Sequence, residues 1–115
     1  MTASLNLAEE DGLFVARING DIDLASAREL LSEVLKGVST AVHGVVLDMS
    51  GVRYLDSTGV SMLLDLHRSL DARRQRLSVV LPKSSHLWRL FEITGLPSIL
   101  RIGSTLIDAK AAAKA

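Results

Sequence analysis

The sequence predicts an α/β fold: a mixed β-sheet of four to five strands with about four helices packed on it. Three observations carry that prediction. Segments with strand-type and helix-type hydrophobic spacing alternate along the chain. An Asp11-Gly12 pair separates the first two strand-like runs, a hairpin signal because glycine tolerates positive φ. Stop signals fall between the runs at Gly37, Pro82 and Gly95. Alternation after an opening hairpin implies parallel strands joined by right-handed helical crossovers.

The elements follow in order. Residues 5–9, with Leu5 and Leu7 around Asn6, suit a short strand, and residues 13–19 a second one antiparallel to it, ended by Gly20. Residues 24–36 carry Leu24, Ala27, Leu31, Val34 and Leu35 at helical spacing, with Asp23 as N-cap and Gly37 as the residue after the end. Residues 43–49 suit a buried strand. In residues 57–73, Val60, Leu63, Leu64, His67 and Leu70 share a helical face. Residues 77–81 suit a strand stopped by Pro82, residues 84–94 a helix stopped by Gly95, and residues 99–102 a last strand. Ser104 is the expected cap of a final helix through the alanine- and lysine-rich tail.

Composition bounds the function. At 115 residues the chain fits one domain, taken as 1–115, by the usual prior of roughly 100–200 residues. Thirteen basic and thirteen acidic residues give a formal net charge of zero, a poor balance for binding a phosphate backbone, so no nucleic-acid partner is expected. There is no cysteine, which excludes disulfides and zinc thiolates. His43, His67 and His86 show no tight metal-ligand spacing, and His67 suits a partly buried core position. The N-terminus lacks the pattern of a signal peptide and no apolar run reaches the roughly 18 residues of a membrane span, so a cytoplasmic protein without membrane insertion is expected. Neither a Walker loop nor a dinucleotide fingerprint occurs, and no cofactor is expected.

The chemistry concentrates between Val45 and Leu64, where a buried strand runs through a turn into Leu55-Asp56-Ser57-Thr58-Gly59 and then a helix. Strand-to-helix loops are where open α/β sheets gather their sites. Ser57 is expected near the helix N-terminus, where backbone N–H groups and the helix dipole favour an anion. Gly59 in the first turn leaves room for another molecule to approach the backbone. Asp, Ser and Thr before a helix are also ordinary capping residues, and local spacing alone leaves both readings open. Asp21, Asp23, Asp48 and Asp56 could be taken for acid–base groups, but no serine–histidine arrangement accompanies them. Arg73, Arg74 and Arg76 fall at the expected end of a helix, where positive charge suits the dipole. Trp88 suits either packing or an exposed apolar spot.

Three pieces, in order and at suitable separations, resemble the STAS domain, and within it the bacterial anti-sigma-factor antagonists. They are Gly20-Asp21-Ile22-Asp23, the run Val46-Leu47-Asp48-Met49-Ser50-Gly51-Val52 with Leu55-Asp56-Ser57-Thr58-Gly59, and Leu90-Phe91-Glu92-Ile93-Thr94-Gly95-Leu96. The resemblance covers roughly residues 5–110. It implies a regulatory binding module that is not an enzyme. Its partner would be an anti-sigma factor that is also a serine kinase, and binding would free a sigma factor. Phosphorylation of Ser57 would end the complex, and a serine phosphatase would reset it. Asp23, Asp56, Thr58 and Gly59 would lie at the partner surface, Thr58 being a lesser acceptor, and the chain would be a monomer or weak dimer. Many family members carry Leu-Gly after the motif glycine, where this chain has Val60-Ser61. Two other readings stand beside this one: a STAS scaffold or transporter-accessory subunit, and a small hydrolase using Ser57.

Overall fold

The computed structural model describes residues 3–115. Five strands, β1 (Ser4–Glu10), β2 (Leu13–Ile22), β3 (Gly44–Leu55), β4 (Arg76–Val80) and β5 (Arg101–Gly103), form one sheet in the order β1-β2-β3-β4-β5. β1 pairs antiparallel with β2, and the remaining neighbours are parallel. Four helices follow from the crossovers and the tail: α1 (Leu24–Gly37), α2 (Ser57–Ala72), α3 (Trp88–Thr94) and α4 (Leu106–Lys114). A 3-10 turn over Leu96–Ser98 follows α3. The expected mixed sheet and its order of elements are those observed. Asp11 and Gly12 both take positive φ, as a two-residue hairpin of this kind requires.

Strand alternation splits the sheet into two faces. Phe14, Ala16 and Ile18 of β2 join Val45, Leu47 and Val79 in a large core under α1, α2 and α3. Leu13, Val15, Val46 and Val80 face the other way and meet Ala109 and Ala113 of α4. Within α1 the buried residues are Ser26, Ala27, Leu30 and Val34, whereas Leu24 is 78% exposed and Leu31 and Leu35 only half-buried. In α2, Met62 and Leu66 are buried with Val60, Leu63 and Leu70, while Leu64 and His67 sit at the margin. The expected stripes thus rotate by one residue, because α1 and α2 pack on each other as well as on the sheet. Truncating a fully buried leucine such as Leu63 or Leu66 to alanine costs about 2–5 kcal/mol in cores of this kind.

Several boundaries differ from the sequence reading. β2 continues through Gly20 to Ile22, with Gly20 at φ 102° inside the strand. β3 runs on through the expected turn to Leu55. Its register against β2 shifts between Arg17 and Asn19 and again between Gly20 and Asp21, so β3 carries two extra residues as bulges. Those bulges break the period of two, which is why Ser50 to Tyr54 read as loop. Gly37 is the last residue of α1 and Val38 caps it. α3 begins at Trp88, preceded by a turn held by Ser85 N–H to the Pro82 carbonyl at 2.9 Å. Thr105, not Ser104, caps α4 by accepting from the Asp108 amide at 3.2 Å. Trp88 is a packing residue: its indole N–H donates to the Pro82 carbonyl at 2.8 Å and its ring meets Phe91 edge to face at 6.1 Å.

Among the described residues, no helix is long and apolar enough to cross a membrane, and no group of three or more His, Asp or Glu could hold a metal ion. Arg73 caps α2 and Arg74 takes φ 59°, so the basic cluster lies beyond the last helical turn rather than within it.

Candidate functional site

β2 and β3 end on the same rung of the sheet, with Ile22 opposite Leu55. The next residue on each strand is an aspartate, and each aspartate caps a helix. Asp23 accepts from the amides of Ala25 at 3.0 Å and Ser26 at 3.2 Å, and its own amide donates to Ser26 Oγ at 3.1 Å, completing a capping box. Asp56 accepts through Oδ1 from the amides of Thr58 at 3.0 Å and Gly59 at 3.1 Å, and from the Thr58 hydroxyl. The Thr58 hydroxyl is the largest influence holding the Asp56 carboxyl below its ordinary range. Burial opposes it, and the Gly59 and Thr58 amides add to the lowering. Asp56 therefore stays ionised at neutral pH.

This geometry separates the two hydroxyls of the motif. Ser57 is exposed at the first position of α2. Thr58 is half-buried, with its hydroxyl donated to Asp56. The helix start is also less open to an anion than the sequence suggested, because the amides of Thr58 and Gly59 already serve the Asp56 carboxylate. Gly59 is a second correction. It is buried, and a Cβ there would lie 2.2 Å from Leu55 Cδ1 and 3.1 Å from Ile22 Cγ2. Its missing side chain makes room for the chain's own core, not for a visitor.

The other acidic candidates have structural partners. Asp21 lies 3.9 Å from Arg53 Nε, and its carbonyl accepts from Ser26 Oγ at 3.0 Å. Asp48 lies 3.9 Å from Arg17 Nε and accepts from the amide and hydroxyl of Ser50 at 3.0 and 2.6 Å. His43 is exposed, and His86 contacts the Arg53 carbonyl at 2.7 Å. The structure thus brings Asp21, Asp23, Asp56 and Ser57 to one end of the sheet and leaves Asp48 on the strand behind them.

Sequence reasoning missed a groove of about 880 Å³ between α1 and α2, whose lining includes Leu24, Arg28, Leu31, Thr58, Met62 and Asp65. It opens directly beside the motif. The signal that could have found it is Leu24, a large apolar residue at the first turn of a helix, which the periodicity assigned to the core.

A family model described as STAS domain matches residues 4–109. This chain belongs to the STAS domain family. Among its STAS relatives, a Listeria monocytogenes protein named anti-sigma-B factor antagonist is 38% identical over 108 residues, covering 89% of this chain and 90% of its own. The crystal structure of an anti-sigma factor antagonist from Mycobacterium paratuberculosis superposes with a TM-score of 0.86 at 26% identity, over 98% of this chain and 95% of that one. The Bacillus cell fate determinant SpoIIAA in its phosphorylated form shares the fold, with a TM-score of 0.66 at 21% identity over 95% and 98% of the two chains.

Proposed function

We propose that this STAS protein is an anti-sigma-factor antagonist controlled by phosphorylation of Ser57. It binds an anti-sigma factor that is also a serine kinase, and a sigma factor is thereby freed. Ser57 Oγ then attacks the terminal phosphorus of the kinase's ATP, the bond to the bridging oxygen breaks, ADP leaves, and the hydroxyl proton passes to a base on the kinase. A serine phosphatase hydrolyses the ester and restores the antagonist. The site of action is the cytoplasm.

One observation carries this reading: Ser57 is the exposed hydroxyl of the motif, held at a helix start by an ionised cap. The Listeria relative named anti-sigma-B factor antagonist and the phosphorylated form of a protein of this fold support it. The physics of release is local. A phosphoserine adds about −1.5 to −2 charges. Asp56 has taken the nearby amides, so the new charge meets a carboxylate, and Asp23 stands just past the end of the adjacent strand. A partner surface that accepts these aspartates beside a neutral serine is disfavoured once the serine is charged; a change of ~1.4 kcal/mol is already tenfold in affinity. The groove between α1 and α2 extends the docking surface from Thr58.

The test is a pull-down from the source cell's lysate with wild type and Ser57→Asp as paired baits, followed by ATP and intact-mass analysis. The expected result is an ATPase-fold kinase retained by wild type and lost from Ser57→Asp, with one phosphate mapped to Ser57. Equal retention by both baits would refute the charge account. Recovery of a transporter ATPase or a large assembly, with Ser57 unmodified, would move the function to an accessory or scaffold class.

A further inference from the structure

A second, smaller groove of about 360 Å³ lies on the other flank of the α2 start, between the end of β3 and α3. Leu55 and Leu87 form its buried floor. Leu90 and Ile93 of α3 wall one side, at spacings that put Arg89, Leu90 and Ile93 on one helical face with His86 a turn before them. Ile93 is 71% exposed and Tyr54, on β3, is 50% exposed. The contact from His86 Nε2 to the Arg53 carbonyl closes the gap between the two elements. Isolated exposed apolar residues are ordinary; here two of them line one groove over an apolar floor.

The full charge in its lining is basic. Arg89 and His86 line the groove and no carboxylate does. Arg53 stands at the edge, its side chain exposed and 3.9 Å from Asp21, its ion-pair partner. Glu92, on α3, is exposed but does not line the groove. The larger groove between α1 and α2 is the opposite case, with Glu29, Glu33 and Asp65 set against Arg28 and Lys36. The smaller volume is at the lower end for a small-molecule site and suits one or two side chains.

We infer that this groove docks a segment of a protein partner that presents one or two large apolar side chains flanked by carboxylates. The apolar anchors cover Tyr54, Leu90 and Ile93, and the carboxylates meet the Arg89 side of the groove. The surface is distinct from the one proposed around Asp23 and the α1–α2 groove, and it binds without a phosphate on Ser57. Tyr54 lies three residues before Ser57, within about 11 Å along the chain, so an acidic occupant would also sense a charge placed there.

The experiment titrates the isotope-labelled, unphosphorylated full chain with a short synthetic peptide carrying two leucines among glutamates. A matched peptide has lysines for the glutamates. Amide shifts are expected at residues 54–55 and 86–93 with the acidic peptide, and binding about tenfold weaker for the lysine peptide. Ile93→Glu should abolish the shifts, and Arg89→Glu should weaken binding about tenfold, with Arg89→Gln intermediate. Both sites are exposed, so thermal melts should show folded variants. Equal binding of both peptides, shifts confined to the α1–α2 groove, or no shift at all would overturn the proposal. So would self-association, seen by sedimentation and lost in Ile93→Glu, because the groove would then take a second copy. Phosphorylation of Ser57 by a kinase is read separately by mass, so failure of one reading leaves the other standing.

Discussion

The amide of Asp56 donates to the carbonyl of Ile22 at 3.3 Å, one step beyond the last rung between β2 and β3. That bond carries the strand pairing across into the start of α2. It sets the caps of α1 and α2 on neighbouring strands, so two aspartates far apart in sequence share one acidic end of the sheet. It also fixes where Ser57 emerges, because the helix must begin at the next residue.

Loss of the Asp56 cap should be measurable without any partner. Asp56→Ala is expected to lower unfolding stability by about 1 kcal/mol, within the 0.5–2 kcal/mol seen for such caps. The folded-state carboxyl is held below its ordinary 3.8, so its stabilisation is present above that value and lost as pH falls through the lowered one. Urea melts of wild type and Asp56→Asn should therefore converge as pH falls below the ordinary carboxylate value.

Ser57 and Thr58 should behave differently towards a cognate kinase. Thr58→Val keeps the shape of the side chain and removes the donor to Asp56. It is expected to take one phosphate as wild type does, while Ser57→Ala takes none, by intact mass. The same Thr58→Val variant should raise the Asp56 carboxyl towards its ordinary value in a carboxyl NMR titration.

Gly59→Ala reverses a general expectation. In an exposed helix the change stabilises by about 1 kcal/mol. Here the new methyl meets Leu55 Cδ1 at 2.2 Å, and overpacking of that kind costs about 1–3 kcal/mol. Net destabilisation is expected in urea melts. Combining it with Leu55→Ala should cost less than the sum of the two single changes, because the colliding atom is gone. Additive costs would show that the contact is not the cause.

α4 should be pinned to the hairpin in a pH-dependent way. Glu10 accepts from Arg17 at 2.9 and 3.4 Å and pairs with Lys110 at 3.0 Å, and these hydrogen bonds, Arg17's the larger, lower its carboxyl from 4.5 to about 2. The pair contributes fully above pH 4.5 and is lost as pH falls towards 2. Stability of wild type relative to Glu10→Gln should shrink across that window and should also shrink in high salt, because the groups are partly exposed. A difference independent of both would assign the effect to packing.

Much of the molecule was legible in the residues. The strand and helix order, the Asp11-Gly12 hairpin, the Asp23 cap and the Gly95 stop all follow from local preferences, and local preferences act through neighbouring residues. Asp56-Ser57-Thr58-Gly59 was legible as a helix start for the same reason. The path of β3 was not: residues 50–54 are strand because β2 is there to pair with them, and their bulges erase the alternation that would announce it.

The residue types at the site, and that one aspartate precedes each long helix, belong to the sequence alone. Tertiary structure decided the rest. Pairing of Ile22 with Leu55 put the two caps together, packing of Leu55 and Ile22 gave Gly59 its purpose, and the Asp56 carboxylate claimed the amides that an isolated helix end would have offered an anion. The larger groove exists only because α1 and α2 pack side by side on the sheet, and the smaller one only because α3 packs beside the end of β3. No periodicity along a single element encodes the space left between two of them.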